Sequence, residues 1–365
     1  MITMNGFTLE PESLVRDELA AVERVLRSGW YVLGKEVQAF ENEWAHASGV
    51  KYAVGVGNGL DAIEIGLRVL GIGPGDEVIT TAMTAFASTL AIMRAGATPV
   101  FADIDPATAL LDAQSVERCI SPRTKAILPV HLYGQVRDMN VWEDLCKRRT
   151  IHLIEDCAQS HFAAWRGQAG GAFGACGAYS FYPTKNLGAI GDGGAFVTGD
   201  ERQAEMARRL RNYGQSQRYH HPEVGMNSRL DELQAAILRV RLKMLPRFTE
   251  RRRAIAARYL AEMRNSRIEL MAAPVERENH VYHLFVVRCP ERDRLSAHLK
   301  ESGIESLCHY PVPVHIQEPC KSMTRDPDGL PHTERHAAQC LSLPCHPQLT
   351  DAEVTAVIDS VNAFE

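Results

Sequence analysis

At 365 residues, 45% hydrophobic and 23% charged, the chain has a globular composition and is long enough to outgrow one ordinary core, so two domains are expected. A net charge of −5 supplies neither a basic field for nucleic acid nor a polybasic patch for a membrane surface. No run reaches the ~18 apolar residues of a membrane span, and MITMNGFTLEPESL lacks the basic-then-apolar order of a secretory signal.

Through the first two thirds, short apolar runs alternate with helical spacing. KYAVGVG (51–57) reads as a strand ending in glycines, and LDAIEIGLRVL (60–70) sets Ile63, Leu67 and Leu70 at helical intervals. DEVITT (76–81) is a strand, residues 86–95 a helix and PVFADI (99–104) a strand again. KAILPVH (125–131), IHLIED (151–156), GAYSFY (177–182) and GAFVT (194–198) continue the series. Strands separated by helices of this length imply an α/β fold with a largely parallel sheet, helices on both faces, and ligands beyond the carboxyl ends of the strands.

After Asn227 the pattern becomes helical. SRLDELQAAILRVRLKML carries Leu230, Leu233, Ile237 and Leu245 on one stripe, Ser228 and Asp231 resemble a capping box, and Pro246 bends or ends the helix. RFTERRRAIAARYLAEM is a charged amphipathic helix suited to linking two domains. Beyond it, HVYHLFVVR reads as strand, DRLSAHLKESG as helix and HYPVPVHIQEPC as a Pro- and His-rich segment, together a smaller α+β domain. The expected division is 1–245 and 246–365. Nine scattered cysteines without a C-x-x-C pair fit reduced thiols in a cytoplasmic protein and ask for no metal.

Three features fall at strand ends. In VGNGLDA (56–62), Asn58 and Gly59 precede a helix whose free N–H groups and dipole favour a phosphate, although Asn-Gly is also a common turn. IEDCAQS (154–160) ends a strand in Glu155 and Asp156, which point to opposite faces. Asp156 is either a helix cap or the carboxylate that keeps a ring nitrogen protonated, the arrangement that makes pyridoxal phosphate an electron sink. In SFYPTKNLGAIGDGGAFVT (180–198), Lys185 follows a strand within a glycine-rich loop, as a Schiff-base lysine would, and Ser180 stands ready to meet a phosphate. The plainer reading of Lys185 is an exposed loop lysine.

VGNGLDA, EDCAQSH, SFYPTKNLGAIGDGG and GMNSRLDELQAA together resemble the DegT/DnrJ/EryC1/StrS family of sugar aminotransferases, over nearly the whole chain from SGWYVLG near residue 30. The resemblance implies a type I aspartate-aminotransferase fold with a mixed, mostly parallel sheet, pyridoxal 5'-phosphate, and a homodimer with shared active sites. It implies that Lys185 carries the cofactor, Asp156 pairs with its ring nitrogen and Gln159 lies near its ring hydroxyl. Ser180 and the backbone of Gly59 and Leu60 would hold its phosphate, and Asn227 would reach the phosphate in the neighbouring subunit. AMTAFAST departs from the family pattern: Ala85 stands where many relatives carry an aromatic residue, and Phe86 follows, which leaves the cover of the ring's outer face open.

By the same resemblance, glutamate is the amino donor and a nucleotide-linked ketosugar the acceptor. SGWYVLGKEV, RYHHPEVGMNSRLDE and HYPVPVH look most like the subgroup that aminates C3 of dTDP-3-keto-6-deoxyhexoses. Tyr31, Tyr219, His220 and His309 are the candidate substrate contacts, or else packing tyrosines and ordinary surface histidines. The alternatives are a C4 aminotransferase on a dTDP- or UDP-4-ketosugar and a non-catalytic regulatory or binding protein of the same fold. Dehydratases of 3-deoxysugar synthesis resemble the family but carry histidine at the lysine position. The retained Lys185 speaks against the regulator and the dehydratase.

Overall fold

The computed structural model describes residues 1–365. Its strands, in chain order, are β1 (Tyr52–Val56), β2 (Glu77–Thr81), β3 (Thr98–Ala102), β4 (Thr124–Leu128), β5 (His152–Asp156), the short β6 (Ala164–Trp165) and β7 (Gln168–Ala169), β8 (Cys176–Ser180), β9 (Gly194–Thr198), β10 (Glu269–Leu270), β11 (Phe285–Arg288) and β12 (Cys340–Leu343). Seven of them form one sheet in the order β1-β9-β8-β5-β4-β2-β3. β9 runs antiparallel to both of its neighbours and every other pairing is parallel.

The apolar runs of these strands serve two cores at once, because successive side chains leave on opposite faces. Val54, Val78, Ile154 and Phe196 pack on one face against the helices Gly59–Val69, Phe86–Arg94 and Glu201–Leu210. Ala53, Tyr179 and Val197 meet Phe40, Trp44 and Leu238 on the other face, where Ile79, Ile127 and Leu153 also pack against Val116 and Leu145. Each fully buried aliphatic side chain contributes about 1.5–3 kcal/mol, so the alternation fixes register. β8 stops at Ser180, short of the expected GAYSFY run, because Phe181 N–H turns to Gly193 O and Tyr182 swings into solvent. HVYHLFVVR is likewise strand only over Phe285–Arg288, since Val281 N–H bonds Gly134 O in the first body of structure.

The helical run after Asn227 begins later than the sequence suggests. The helix spans Glu232–Leu242, and its N-cap Asp231 makes no side-chain cap bond, so the expected capping box is absent. Ser228 Oγ instead accepts the Gly57 N–H at 3.0 Å, and Asn227 lies in extended chain bridged to Asn212. The buried Glu232 carboxylate accepts N–H groups of Gly34, Glu36 and Val37 at 2.8–3.0 Å and so closes the N-terminus of the helix Lys35–Ala47. Glu232→Ala strands these donors; it should cost about 2–3 kcal/mol of unfolding free energy, read from the urea midpoint. Pro246 sits in the first turn of a new helix, Leu245–Glu262, where a missing N–H costs nothing.

The second sheet, β10-β11-β12, packs with the helices Arg292–Glu301 and Asp351–Asn362 around a core of 21 buried residues that includes Tyr259, Phe285, Leu295 and Val357. This is the smaller α+β part of the fold. The N-terminus joins it, with Ile2 bridged to Ile304 and Met4 N–H on Glu305. No helix is long and apolar enough to cross a membrane.

Candidate active site

The helix after β1 begins at Gly59. Asn58 spends its Oδ1 on the Asp61 N–H at 2.8 Å and its carbonyl on Ala62 N–H, leaving the Gly59 and Leu60 N–H groups without an acceptor inside the helix. Two glycines bring the strand ends together here. A Cβ on Gly59 would lie 2.7 Å from the Cβ of Ser180, and one on Gly194 would lie 2.4 Å from the Asn58 carbonyl. The Ser180 side chain is thereby held against the helix N-terminus, an arrangement suited to a phosphate.

Glu155 and Asp156 leave β5 on opposite sides and do different work. Glu155 is fully buried and accepts N–H groups of Gly171 (2.8 Å), Phe173 (2.8 Å) and Gly174 (2.9 Å), with His131 Nε2 at 2.9 Å. It pins the return loop to β8. His131, Glu155 and Cys157 bring potential ligand atoms within 4.8 Å of one another, but the Glu155 oxygens are already occupied by these donors. Asp156 accepts Ser88 Oγ–H at 2.7 Å and the Ala158 N–H at 3.0 Å, and Ser88 in turn meets Thr84 at 2.9 Å. Both oxygens of Asp156 are thus aimed by fixed donors while the residue stays 5% exposed.

Lys185 follows β8, its N–H closing a turn on Tyr182 O at 2.8 Å, and its ammonium makes no ion pair. Burial pulls it down to about 8, against the opposing pull of the Asp156 charge. Three imidazoles share its field. Desolvation lowers His161 to about 3 and His309 to about 4 and takes His283 well below the usual range, and in each the Lys185 charge adds to the effect. Gln159 Oε1 accepts the Tyr133 N–H at 2.6 Å, and its Nε2 donates to the Tyr310 hydroxyl oxygen at 3.3 Å. Tyr133 O–H donates to His309 O at 2.6 Å, which ties the 309–310 segment of the smaller part to the main sheet.

Gly59, Leu60, Asp156, Gln159, Ser180, Lys185 and His309 therefore converge at the carboxyl ends of the parallel strands. Tyr31, Tyr219, His220 and Asn227 do not join them within one chain: all four are exposed, Tyr219 at 78%. Tyr31 instead accepts the Glu232 N–H through its carbonyl, and His220 N–H turns back on Gln217 O. The exposed Trp30, Tyr31 and Val32 adjoin this strip, since Val32 bridges Asp231, and exposed Ile190 bonds Gln234 through its N–H. Phe86, partly buried, packs against the small cluster that contains Phe101, Val314 and Leu330. Sequence reasoning missed Ser88, His161, His283 and Tyr310. His161 was visible in EDCAQSH, while the others reach the site through contacts up to 151 residues apart in sequence. A cavity of about 440 Å³ lies elsewhere, beyond His131 among Trp142, Trp165 and Arg137, and the space beside Lys185 in one chain is only about 40 Å³.

Known proteins resemble this chain over nearly its whole length. A transaminase of Streptomyces venezuelae, dTDP-3-amino-3,4,6-trideoxy-alpha-D-glucose transaminase, is 48% identical over 354 residues, covering 97% of this chain and 93% of its own. A protein of Geobacillus stearothermophilus named pleiotropic regulatory protein is 44% identical over 365 residues, covering 100% of this chain and 98% of its own. The crystal structure of S. venezuelae DesV in complex with a ketimine intermediate superimposes with a TM-score of 0.92 at 47% identity, covering 96% of this chain and 95% of the other. The profile of the DegT/DnrJ/EryC1/StrS aminotransferase family matches residues 12–362, and with that match the chain belongs to this family of aminotransferases.

Proposed function

We propose that this aminotransferase uses pyridoxal 5'-phosphate to move an amino group from glutamate to C3 of a dTDP-linked 3-keto-6-deoxyhexose. The observation that carries the reading is Lys185: a half-buried lysine with no ion pair, beside a buried, doubly oriented Asp156 and a glycine-lined helix N-terminus. These residues fit the cofactor. The Gly59 and Leu60 N–H groups and the Ser180 hydroxyl would hold its phosphate, Asp156 would face its ring nitrogen and Gln159 its ring hydroxyl. When bound, the cofactor supplies an electron sink for the carbon that gains or loses the amino group.

The protein's own residues do the rest. Ser88 and the Ala158 N–H hold the Asp156 carboxylate in one orientation, so its charge needs no reorganisation during the reaction. Lys185, brought near neutrality by burial, takes a proton from the reacting carbon and returns it. The neutral imidazoles of His161, His283 and His309 leave Lys185 the one nitrogen base poised near neutral pH. Residues 246–365 serve as the small domain that carries His309 and Tyr310 to this site.

The substrate assignment draws on the S. venezuelae relative, whose name specifies a dTDP-3-amino sugar. The regulatory name of the G. stearothermophilus relative raises the binding-protein alternative, which Lys185 and its surroundings disfavour. Incubation with glutamate and either dTDP-3-keto or dTDP-4-keto sugar, with the product read by NMR, should give amination at C3 only. A C4 amine, or no amine, would reject the assignment.

The exposed apolar residues Trp30–Val32 and Ile190, fastened to the segment 231–234 that follows Asn227 in the chain, support a homodimer in which Tyr31, Tyr219, His220 and Asn227 serve the site of the second copy. Asn227 precedes the helix by five positions, so capping does not account for it. Asn227→Ala should weaken cofactor binding about tenfold, the loss of one hydrogen bond to a charged group, with the melting temperature of the cofactor-free protein unchanged. Mixing it with Lys185→Ala should restore activity, because one site of each mixed dimer then carries neither defect. Unchanged cofactor affinity would remove Asn227 from the site.

A further inference from the structure

One thiol pair lies outside this chemistry. Cys308 and Cys340 place their Sγ atoms 3.6 Å apart, while the other seven cysteines are buried and make no thiol–thiol contact. Cys340 opens β12 and is fully buried; Cys308 sits on the segment that leads into His309 and Tyr310 and is part-exposed. Arg292 places Nη1 3.5 Å from Cys308 Sγ and donates to Ala337 O at 2.8 Å, so a guanidinium is fixed beside the reachable thiol. We propose that Cys308 and Cys340 close into a disulfide by exchange with a low-molecular-weight disulfide, and that closure lowers turnover by drawing residues 308–310 away from Tyr133 and Gln159.

The chemistry is two exchanges. The Cys308 thiolate attacks one sulfur of R–S–S–R, forming Cys308–S–S–R and releasing RS⁻. Cys340 then gives up its proton and attacks Cys308 Sγ, releasing the second RS⁻. Two protein thiols lose two electrons and two protons, and R–S–S–R becomes two RSH. The order follows from exposure and charge. Hydrogen bonding from Cys340 and the Arg292 guanidinium bring Cys308 down to about 7, whereas Cys340 is pushed far up by its contact with Cys308 and by burial. Cys308 therefore attacks first and Cys340 resolves.

The consequence for the site runs along the chain. A bonded pair needs its sulfurs ~2.05 Å apart, so they must approach from 3.6 Å. His309, directly after Cys308, holds Tyr133 O–H through its backbone carbonyl at 2.6 Å, and Tyr310, the next residue, receives Gln159 Nε2 on its phenolic hydroxyl at 3.3 Å. A shift of this size at positioning residues is enough for a drop of about tenfold or more.

The test exposes the cofactor-loaded enzyme to graded ratios of oxidised to reduced glutathione. Non-reducing peptide mapping should find one cross-linked peptide joining residues 308 and 340, turnover should fall in step with it, and dithiothreitol should restore both. Cys308→Ser should keep its turnover under oxidant, and Cys340→Ser should stop at a glutathione adduct on Cys308. Free thiols at 308 and 340 under oxidant overturn the proposal, as do undiminished turnover in the cross-linked enzyme and oxidant sensitivity in Cys308→Ser. The peptide map needs no assay, so it stands independently of the sugar substrate and of how well the serine variants fold.

Discussion

Lys185→Ala should lower turnover on the order of 10,000-fold or more, because one side chain is proposed both to anchor the cofactor and to move the proton. The variant should still fold, since Lys185 makes no ion pair and its backbone bond to Tyr182 survives the change. Borohydride reduction of the wild-type holoenzyme should fix the cofactor on Lys185, read by peptide mass; label on any other lysine would end the assignment. A second readout needs no substrate. Burial lowers Lys185 from 10.5 to about 8, so between those values the folded chain holds fewer protons at this site than the unfolded chain does. Stability of the cofactor-free protein from this group therefore rises with pH from about 8 to above 10, and below 8 the penalty is constant. Lys185→Ala should be more stable than wild type below pH 8, with the difference shrinking as pH climbs. A pH-independent difference would show that the lysine is solvated in the folded chain.

Asp156→Asn should lower turnover about 1,000-fold while weakening cofactor binding only modestly. An amide has nearly the shape of the carboxylate but no charge, so a ring nitrogen opposite it is no longer held protonated and the electron sink fails. Ser88 would also face an amide in place of an anion, which loosens the aim of the side chain. The neighbouring acid gives the control. Glu155→Gln should affect folding more than turnover, because Glu155 is saturated by three backbone N–H groups and His131. Equal losses in both variants would mean that the two carboxylates had been given the wrong roles.

The fold was legible because its strands are buried on both sides: a run such as HLIED must be apolar through Leu153 and Ile154 to satisfy two cores, whatever follows it. Asp156 and Lys185 were legible from their motifs, an acid ending one strand and a lysine in the glycine-rich loop after another, whereas Glu155, equally at a strand end, proved structural. What stayed hidden depends on distant partners. Ser228 has the sequence neighbours of a helix cap, yet its hydroxyl serves Gly57, 171 residues away. His283 stands by Lys185 through its bond to Asn186, a contact across 97 residues that no local spacing encodes. The surface strip carrying Tyr31 and Asn227 exposes side chains that one chain has no use for, and a sequence read as one chain gives no measure of that.

Glu232 joins two stretches that the sequence keeps far apart. Its carboxylate fastens residues 34–37, its N–H bonds Tyr31 O, and it ends the stretch 218–232. Two of the three segments that resemble the C3 subgroup thus meet on a single acid. Chimeras that graft only one of them from a relative with another sugar preference would seat a foreign loop on this carboxylate and lose the joint's geometry before testing selectivity. Grafts that carry both segments together with their own acid keep the joint intact, so an exchange of either loop calls for exchange of the other.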